Sequence, residues 1–268
     1  MKQTFVPGVL DGKVAFIAGG TGGINLGIAF GLADAGARVA ILSRKQDKVD
    51  AALAELAAAG HTAIGFAADV RDYDGVENAM RATHEQFGEI DIVISGAAGN
   101  FLASAVGMSP NAFRTVVDID LIGTFHVLRA SYAFLRKPGA SVISITASQA
   151  VHPSLFQSHA CAAKAGVNMI TKCLALEWGG AGVRVNAIAP GPIADTGGMD
   201  KLTPTPEAVA AHTRTIALGR FGTKKEIADL AVFLSSDSAQ YITGAILDCD
   251  GGSSLSRGAV VDVEPPTR

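Results

Sequence analysis

The segment "KVAFIAGGTGGINLG" (residues 13–27) runs apolar through Val14 to Ala18, breaks into glycines, and passes into an alanine- and leucine-rich stretch at 26–35. A short apolar run bounded by glycines reads as a buried strand. The stretch after it reads as a helix stopped at Gly36. A strand that turns through glycines into a helix lets backbone approach a pyrophosphate, whose charge the helix N-terminus favours. The glycine pattern alone is weak, and a tight turn with no ligand is the alternative. Its place after the first strand favours a nucleotide. Gly19, Gly23, Ile24 and Asn25 are the candidate contacts. Asn25 stands where a third glycine is usual, and asparagine tolerates left-handed backbone angles, so the turn is expected to survive.

Outward from this turn the same alternation repeats. Apolar runs at 38–44, 62–69, 90–95, 140–146, 183–190 and 245–252 read as strands. Helical stretches fall at 46–59, 75–87, 112–135, 164–178 and 224–234. Strands apolar on both faces, alternating with helices, imply a parallel sheet covered on both sides. The expected fold is α/β: one Rossmann-like, doubly wound parallel sheet spanning 1–268 as a single dinucleotide-binding catalytic domain. The stretch 193–220, with Gly197, Gly198, Pro204 and Pro206, is long for a connection and is expected to form an irregular substrate lid.

The second strand ends in Ser43, Arg44 and Lys45. An acid there would accept from the ribose 2′-hydroxyl of NAD, whereas two cations suit the 2′-phosphate of NADP. A solvated basic strand end is the plainer reading. The third strand ends at Asp69 and Val70, placed to hold the adenine edge, with a helix cap as the alternative role for Asp69. Lys and Arg number 22 and Asp and Glu 25, giving a net charge of −3, which argues against nucleic acid and anionic membrane surfaces as partners. No apolar run reaches the roughly 18 residues of a membrane span. Cys161, Cys173 and Cys249 form neither a metal-ligand spacing nor a disulfide framework, and read as small buried residues in a reducing compartment. The N-terminal residues lack an apolar signal core and the final "EPPTR" carries no sorting address, so a cytoplasmic protein is expected.

These features together resemble the short-chain dehydrogenase/reductase family. The marks are Gly19 and Gly23, Asp69, "SGAAG" (95–99), "DIDLIGTF" (118–125), Lys164, "PGPI" (190–193) and "DGG" (250–252). The resemblance implies a nicotinamide cofactor, a homotetramer, and cofactor contacts at Ala97, Lys164, Pro190, Gly191 and Ile193. It also implies a catalytic Asn, Ser and Tyr-x-x-x-Lys pair. Here Asp120, Ala147 and Ala160 occupy the Asn, Ser and Tyr positions, and only Lys164 is kept. Within the family, "AAGNFL", "NAFRTVVDIDLIGTF", "HACAAKAGV" and "APGPI" resemble the peroxisomal type of 2,4-dienoyl-CoA reductase, a branch that also lacks the tyrosine. That branch reduces a conjugated dienoyl thioester to a 3-enoyl-CoA with NADPH, so acyl-CoA is the expected substrate.

By that resemblance, the proton comes from a water held by Asp120 and Asp250, while Lys164 holds the nicotinamide ribose. Two carboxyl groups at one site can push one pKa upward. Asp118, on the same segment, faces away from Asp120 at helical spacing and ranks second. Asn100 and Phe101, just past the fourth strand, and Gln149 are the candidate substrate contacts. A surface carboxylate at Asp120, a turn residue at Asp250 and a core ring at Phe101 are the plainer readings. Two other functions stay open: reduction of an enoyl thioester or carbonyl by the same site, and a non-catalytic NADP-binding protein.

Overall fold

The structure, a computed structural model, describes residues 5–255, the side chains of 200 and 201 excepted. The ends of the expected 1–268 domain and the "EPPTR" terminus lie outside the described residues. Seven strands form one sheet: β1 (Val14–Ala18), β2 (Arg38–Ser43), β3 (Ala63–Ala67), β4 (Ile92–Ser95), β5 (Ser141–Ile145), β6 (Arg184–Pro190) and β7 (Ile246–Cys249). All pairs are parallel, in the order β3-β2-β1-β4-β5-β6-β7. The expected α/β class holds. Phe16 pairs with Ala40 on one side and Val93 on the other. The order therefore reverses at β1, which opens a crevice at the carboxyl ends of β1 and β4.

Every residue of β1 is buried, and successive side chains serve opposite cores. Ala15 and Ile17 join a core with Ile28 and Leu32 of α1 (Gly23–Asp34), Leu56 of α2 (Gln46–Ala58) and Ile227 of α9 (Lys224–Ser235). Val14 and Phe16 join the opposite core with Met80 of α3 (Tyr73–Phe87), Leu128 of α5 (Gly123–Ser131) and Trp178 of α6 (Ser158–Trp178). Each fully buried Ile or Phe contributes about 1.5–3 kcal/mol by leaving water. Two such layers hold the strand ends, and with them the crevice, in place.

Three expectations change. The long helix at 112–135 is α4 (Pro110–Val117) followed by one π turn (Asp118–Ile122) and α5. Periodicity cannot reveal the extra residue of such a turn, because the apolar positions on either side keep helical spacing. The stretch 193–220 is not irregular: it carries α7 (Gly197–Leu202) and α8 (Pro206–Thr213). Pro206 takes the first helical position and the Thr205 side chain accepts from Ala208 N, so residues that look like breakers are start signals. The cysteines are all unpaired, but none is buried as expected: Cys161 and Cys249 are half-buried and Cys173 is exposed. No helix among the described residues is long and apolar enough to cross a membrane.

Candidate active site

The crevice beside β1 is a cleft of about 320 Å³ lined by Gly19, Thr21, Asn25, Ser43, Arg44 and Val70, with Gly96 to Ala98 behind them. Gly19 has φ of +84°, and a Cβ there would stand 2.8 Å from Ala97 N. Only glycine permits both the left-handed backbone and the approach of the β4 end. Asn25 has a different part from the one expected. It lies within α1 and has no positive φ. Its Nδ2 donates to Gly96 O at 2.7 Å, tying the glycine turn to the end of β4. Its Oδ1 is buried without a partner.

At the neighbouring strand end, Thr21 Oγ1 donates to Ser43 Oγ at 3.0 Å, joining the turn to β2. Arg44 lines the cleft, whereas exposed Lys45 caps the start of α2 with its backbone and is not among the lining residues. Ile24 packs its side chain against the core. Asp69 is neither free nor a helix cap: α3 is capped by Asp72. Both Asp69 oxygens accept from the Arg71 guanidinium, at 3.0 and 2.7 Å. The Arg71 hydrogen bonds hold the Asp69 carboxyl below the ordinary carboxylate range. Thr21, Gly96 and Arg71 are site residues missed in the sequence. Thr21 was visible as the one polar residue inside the glycine turn.

Past Ala98 and Ile119, which line the cleft, the next residue of each segment forms the polar centre. Asp120, 1 % exposed, is carried by the π turn. Its Oδ1 accepts from Gly99 N at 2.7 Å and its Oδ2 lies 3.4 Å from Lys164 Nζ. Lys164 Nζ also donates to Ile145 O at 3.0 Å. The two residues expected to act on water and ribose separately are therefore a buried ion pair. Ala160, 5 % exposed, sits one turn before Lys164 on α6 and brings no hydroxyl to the pair. Asp118 faces the other way, where its charge acts on Arg71.

Asp250 follows β7, and no hydrogen bond or ion pair joins it to Asp120 among the described residues. Its carboxylate accepts from Gly252 N and Ser254 N, each at 2.8 Å, and from Ser253 Oγ at 3.3 Å. Burial pushes this carboxyl up, but the hydrogen bonds from Ser254, Gly252 and Ser253 outweigh it, so the group titrates below the ordinary range. Asp250 is thus not a carboxyl held protonated by a neighbour. It lines a second cleft with Ile193, Leu218 and Arg220. Gly191 N donates to Cys249 O at 3.1 Å, which brings the end of β6 against Asp250 after Pro190. The Ile193 side chain, 2 % exposed, is core, and only its backbone is available to a ligand.

Two of the three candidate substrate contacts, Asn100 and Phe101, lie together on one rim. Asn100 Nδ2 donates to Gln157 Oε1 at 2.7 Å, and the Phe101 ring lies 4.5 Å from that of His159. Gln149 accepts from Ser148 Oγ on the following short 3-10 turn (Ser148–Ala150). Leu102, Leu155 and Phe156 are exposed beside them. Phe156 holds a left-handed φ of +62°, and its carbonyl accepts from Ala103 N at 3.0 Å. Gln157 and His159 are further residues that the sequence did not disclose.

A nucleotide cleft at the strand reversal, with a buried Lys–Asp pair at its inner end, defines a dinucleotide-dependent oxidoreductase. The chain belongs to the short-chain dehydrogenase/reductase family: residues 18–254 match the family model described as Enoyl-(Acyl carrier protein) reductase. The peroxisomal 2,4-dienoyl-CoA reductase, (3E)-enoyl-CoA-producing, of Arabidopsis thaliana is 42% identical over 268 residues, 96% of this chain and 89% of that protein. The enzyme of the same description from Saccharomyces cerevisiae is 40% identical over 250 residues, 92% of this chain and 85% of that protein. A gluconate 5-dehydrogenase from Burkholderia cenocepacia, solved in complex with NADP and tartrate, superposes with a TM-score of 0.86 at 28% identity, covering 92% of this chain and 97% of that one.

Proposed function

We propose that the protein reduces 2,4-dienoyl-CoA thioesters to 3-enoyl-CoA with NADPH. The observation that carries this reading is the buried Asp120–Lys164 pair with alanine at position 160. Oxidation of an alcohol or reduction of a ketone needs a group that exchanges a proton with oxygen, and no phenol stands before Lys164. Reduction of a conjugated thioester needs a proton at Cα and donors for the charge on the thioester oxygen instead. The named relatives support the same substrate.

Gly19, Asn25, Thr21 and the start of α1 would hold the pyrophosphate, and Ser43 and Arg44 the 2′-phosphate. The backbone at Val70 would meet the adenine, joined by whatever acceptor capacity Arg71 leaves on Asp69. Ala97, Pro190, Gly191 and the Ile193 backbone would border the nicotinamide. When bound, NADPH supplies a hydride to the conjugated acyl chain. Lys164 orients the ribose and places positive charge beside the site. Asp120, fixed by Gly99 N, holds the water that gives its proton to Cα. Asp250 orders the turn after β7 and completes the water's surroundings from the other side.

Exposed Phe113, Ile122 and Phe125 on the α4–α5 segment, with Met169 and Leu176 on α6, support assembly into a homotetramer. The unpaired cysteines support a reducing, cytoplasmic setting. The segment 193–220 acts as a substrate lid in this reading. The deciding experiment is NADPH oxidation with 2,4-hexadienoyl-CoA, run beside crotonyl-CoA and a ketone panel and with NADH as a control. Turnover of the dienoyl thioester, with NADPH preferred, is the expected result. Tight NADPH binding without turnover of any acyl-CoA would sink it.

A further inference from the structure

α6 enters the site with His159 in its first turn. The side chain is fully buried, and neither Nδ1 nor Nε2 has a hydrogen-bond partner. A neutral imidazole carries one donor and one acceptor, and leaving both unmatched opposes folding. Phenylalanine would fill the same space without that penalty. The polar ring therefore calls for a partner that arrives from outside the folded chain.

What covers the ring is Phe101, whose centroid lies 4.5 Å away with the planes at 35°. The backbone around Phe101 is pinned. Gly99 N donates to Asp120 and Ala103 N to Phe156 O, and the Asn100 side chain is held by that of Gln157. The Phe101 side chain itself is 40 % exposed and borders the apolar rim of Leu102, Leu155 and Phe156. It is the movable cover in a fixed frame. His159 and Lys164 share one helix, about 7.5 Å apart along its axis and about 140° apart around it, and the 99–101 segment reaches both: Gly99 N meets Asp120, the partner of Lys164, and Phe101 meets His159.

We propose that His159 is a substrate-orienting residue. An acyl chain laid on the rim displaces the Phe101 ring, and a His159 ring N–H then donates to the thioester carbonyl oxygen, holding the acyl group toward Lys164 and Asp120. This rests on the acyl-thioester reading above and adds to it a specific donor.

The test compares wild type with His159→Phe, His159→Gln and Phe101→Ala. The readouts are turnover of 2,4-hexadienoyl-CoA, its binding by calorimetry in the presence of NADP, NADPH affinity, and Tm. His159→Phe keeps the stack and removes the nitrogens. It is expected to lower kcat/KM by about tenfold or more, weaken thioester binding, leave NADPH affinity unchanged and leave Tm equal or higher. His159→Gln, which restores a donor, is expected to recover part of the loss. Phe101→Ala opens the cover and is expected to retain thioester binding. Wild-type kcat/KM and thioester affinity in His159→Phe overturn the inference, as does a loss in His159→Phe that tracks a fallen Tm and is matched in His159→Gln. If wild type turns over no dienoyl thioester, the functional reading fails by itself. The His159 contact is then judged by binding alone, and equal thioester affinity in wild type and His159→Phe, including none in either, overturns it.

Discussion

Lys164 Nζ lies 3.4 Å from Asp120 Oδ2, with both side chains buried, so helix α6 and the π turn packed against it are joined by one ion pair. Gly99 N holds the other carboxylate oxygen and Ile145 O accepts from the ammonium. Removing one member of such a pair leaves the other charge buried. Asp120→Asn keeps the shape and the acceptor for Gly99 N but strands Lys164. The expected loss is about 3–5 kcal/mol of stability by urea unfolding. Dienoyl-CoA turnover should fall about 10²-fold or more in the same protein. Unchanged turnover would remove Asp120 from the mechanism.

Gly19→Ala tests the cradle. The left-handed φ of +84° and the 2.8 Å approach to Ala97 N leave no room for a methyl group. The expected strain is about 1–3 kcal/mol, read as a lower Tm. NADPH titration should show weaker binding, since relief must push the turn away from β4.

Cofactor choice should reside in Arg44. Arg44 lines the cleft beside Ser43, whose oxygen is held by Thr21. Hydrogen bonds to a charged group are worth about 1.5–3 kcal/mol, so Arg44→Ala should lower kcat/KM for NADPH by about 10- to 100-fold and leave NADH nearly unaffected. A parallel fall for both cofactors would mean that Arg44 serves the turn and not the 2′-phosphate.

Acid stability should depend on Glu226. Hydrogen bonding from Arg220 first, then from the Thr223 backbone, holds the Glu226 carboxyl down to about 2. The folded pKa lies below the unfolded value, so this contribution is complete above the unfolded value of 4.5 and is lost as pH falls toward about 2. Unfolding curves between those limits should show wild type losing more stability than Glu226→Gln. Both oxygens of Glu226 are engaged, and Thr223 with Glu226 forms a capping box at the start of α9. Parallel losses in the two proteins would show that the capping box carries no pH-dependent stability.

The strand–helix alternation was legible because the buried strands are apolar on both faces and each runs out at or near a glycine, a proline, a polar or a charged residue. Gly19, Ser43, Arg44 and Val70 could be placed for the same reason: each sits at or just past a strand end. Asn25 was found but misread, since its type suggested a backbone angle and its actual work is a side-chain bond to Gly96. At Asp69 the bonds from Arg71, only two residues away, went unread. The pairing of Asp120 with Lys164 was not legible at all. It depends on where a π turn rotates one side chain, and sequence periodicity passes through such a turn unchanged. His159 escaped notice because an orphaned ring is defined by what does not surround it.

The π turn at Asp118–Ile122 makes chain length a functional variable. It holds one residue more than an α turn would, so deleting any one residue between 118 and 122 lets the segment tighten into plain α-helix. The helix beyond would keep its phase relative to α4, because the turn gives up only the one residue it had absorbed. Gly123 would stay against Val70, where a Cβ would stand 2.6 Å from Val70 Cγ2, while the widened turn that carries Asp120 to Lys164 would be gone. A chain shortened at Ile119, Leu121 or Ile122 keeps its charge and its sheet and is expected to lose the pairing of Asp120 with Lys164.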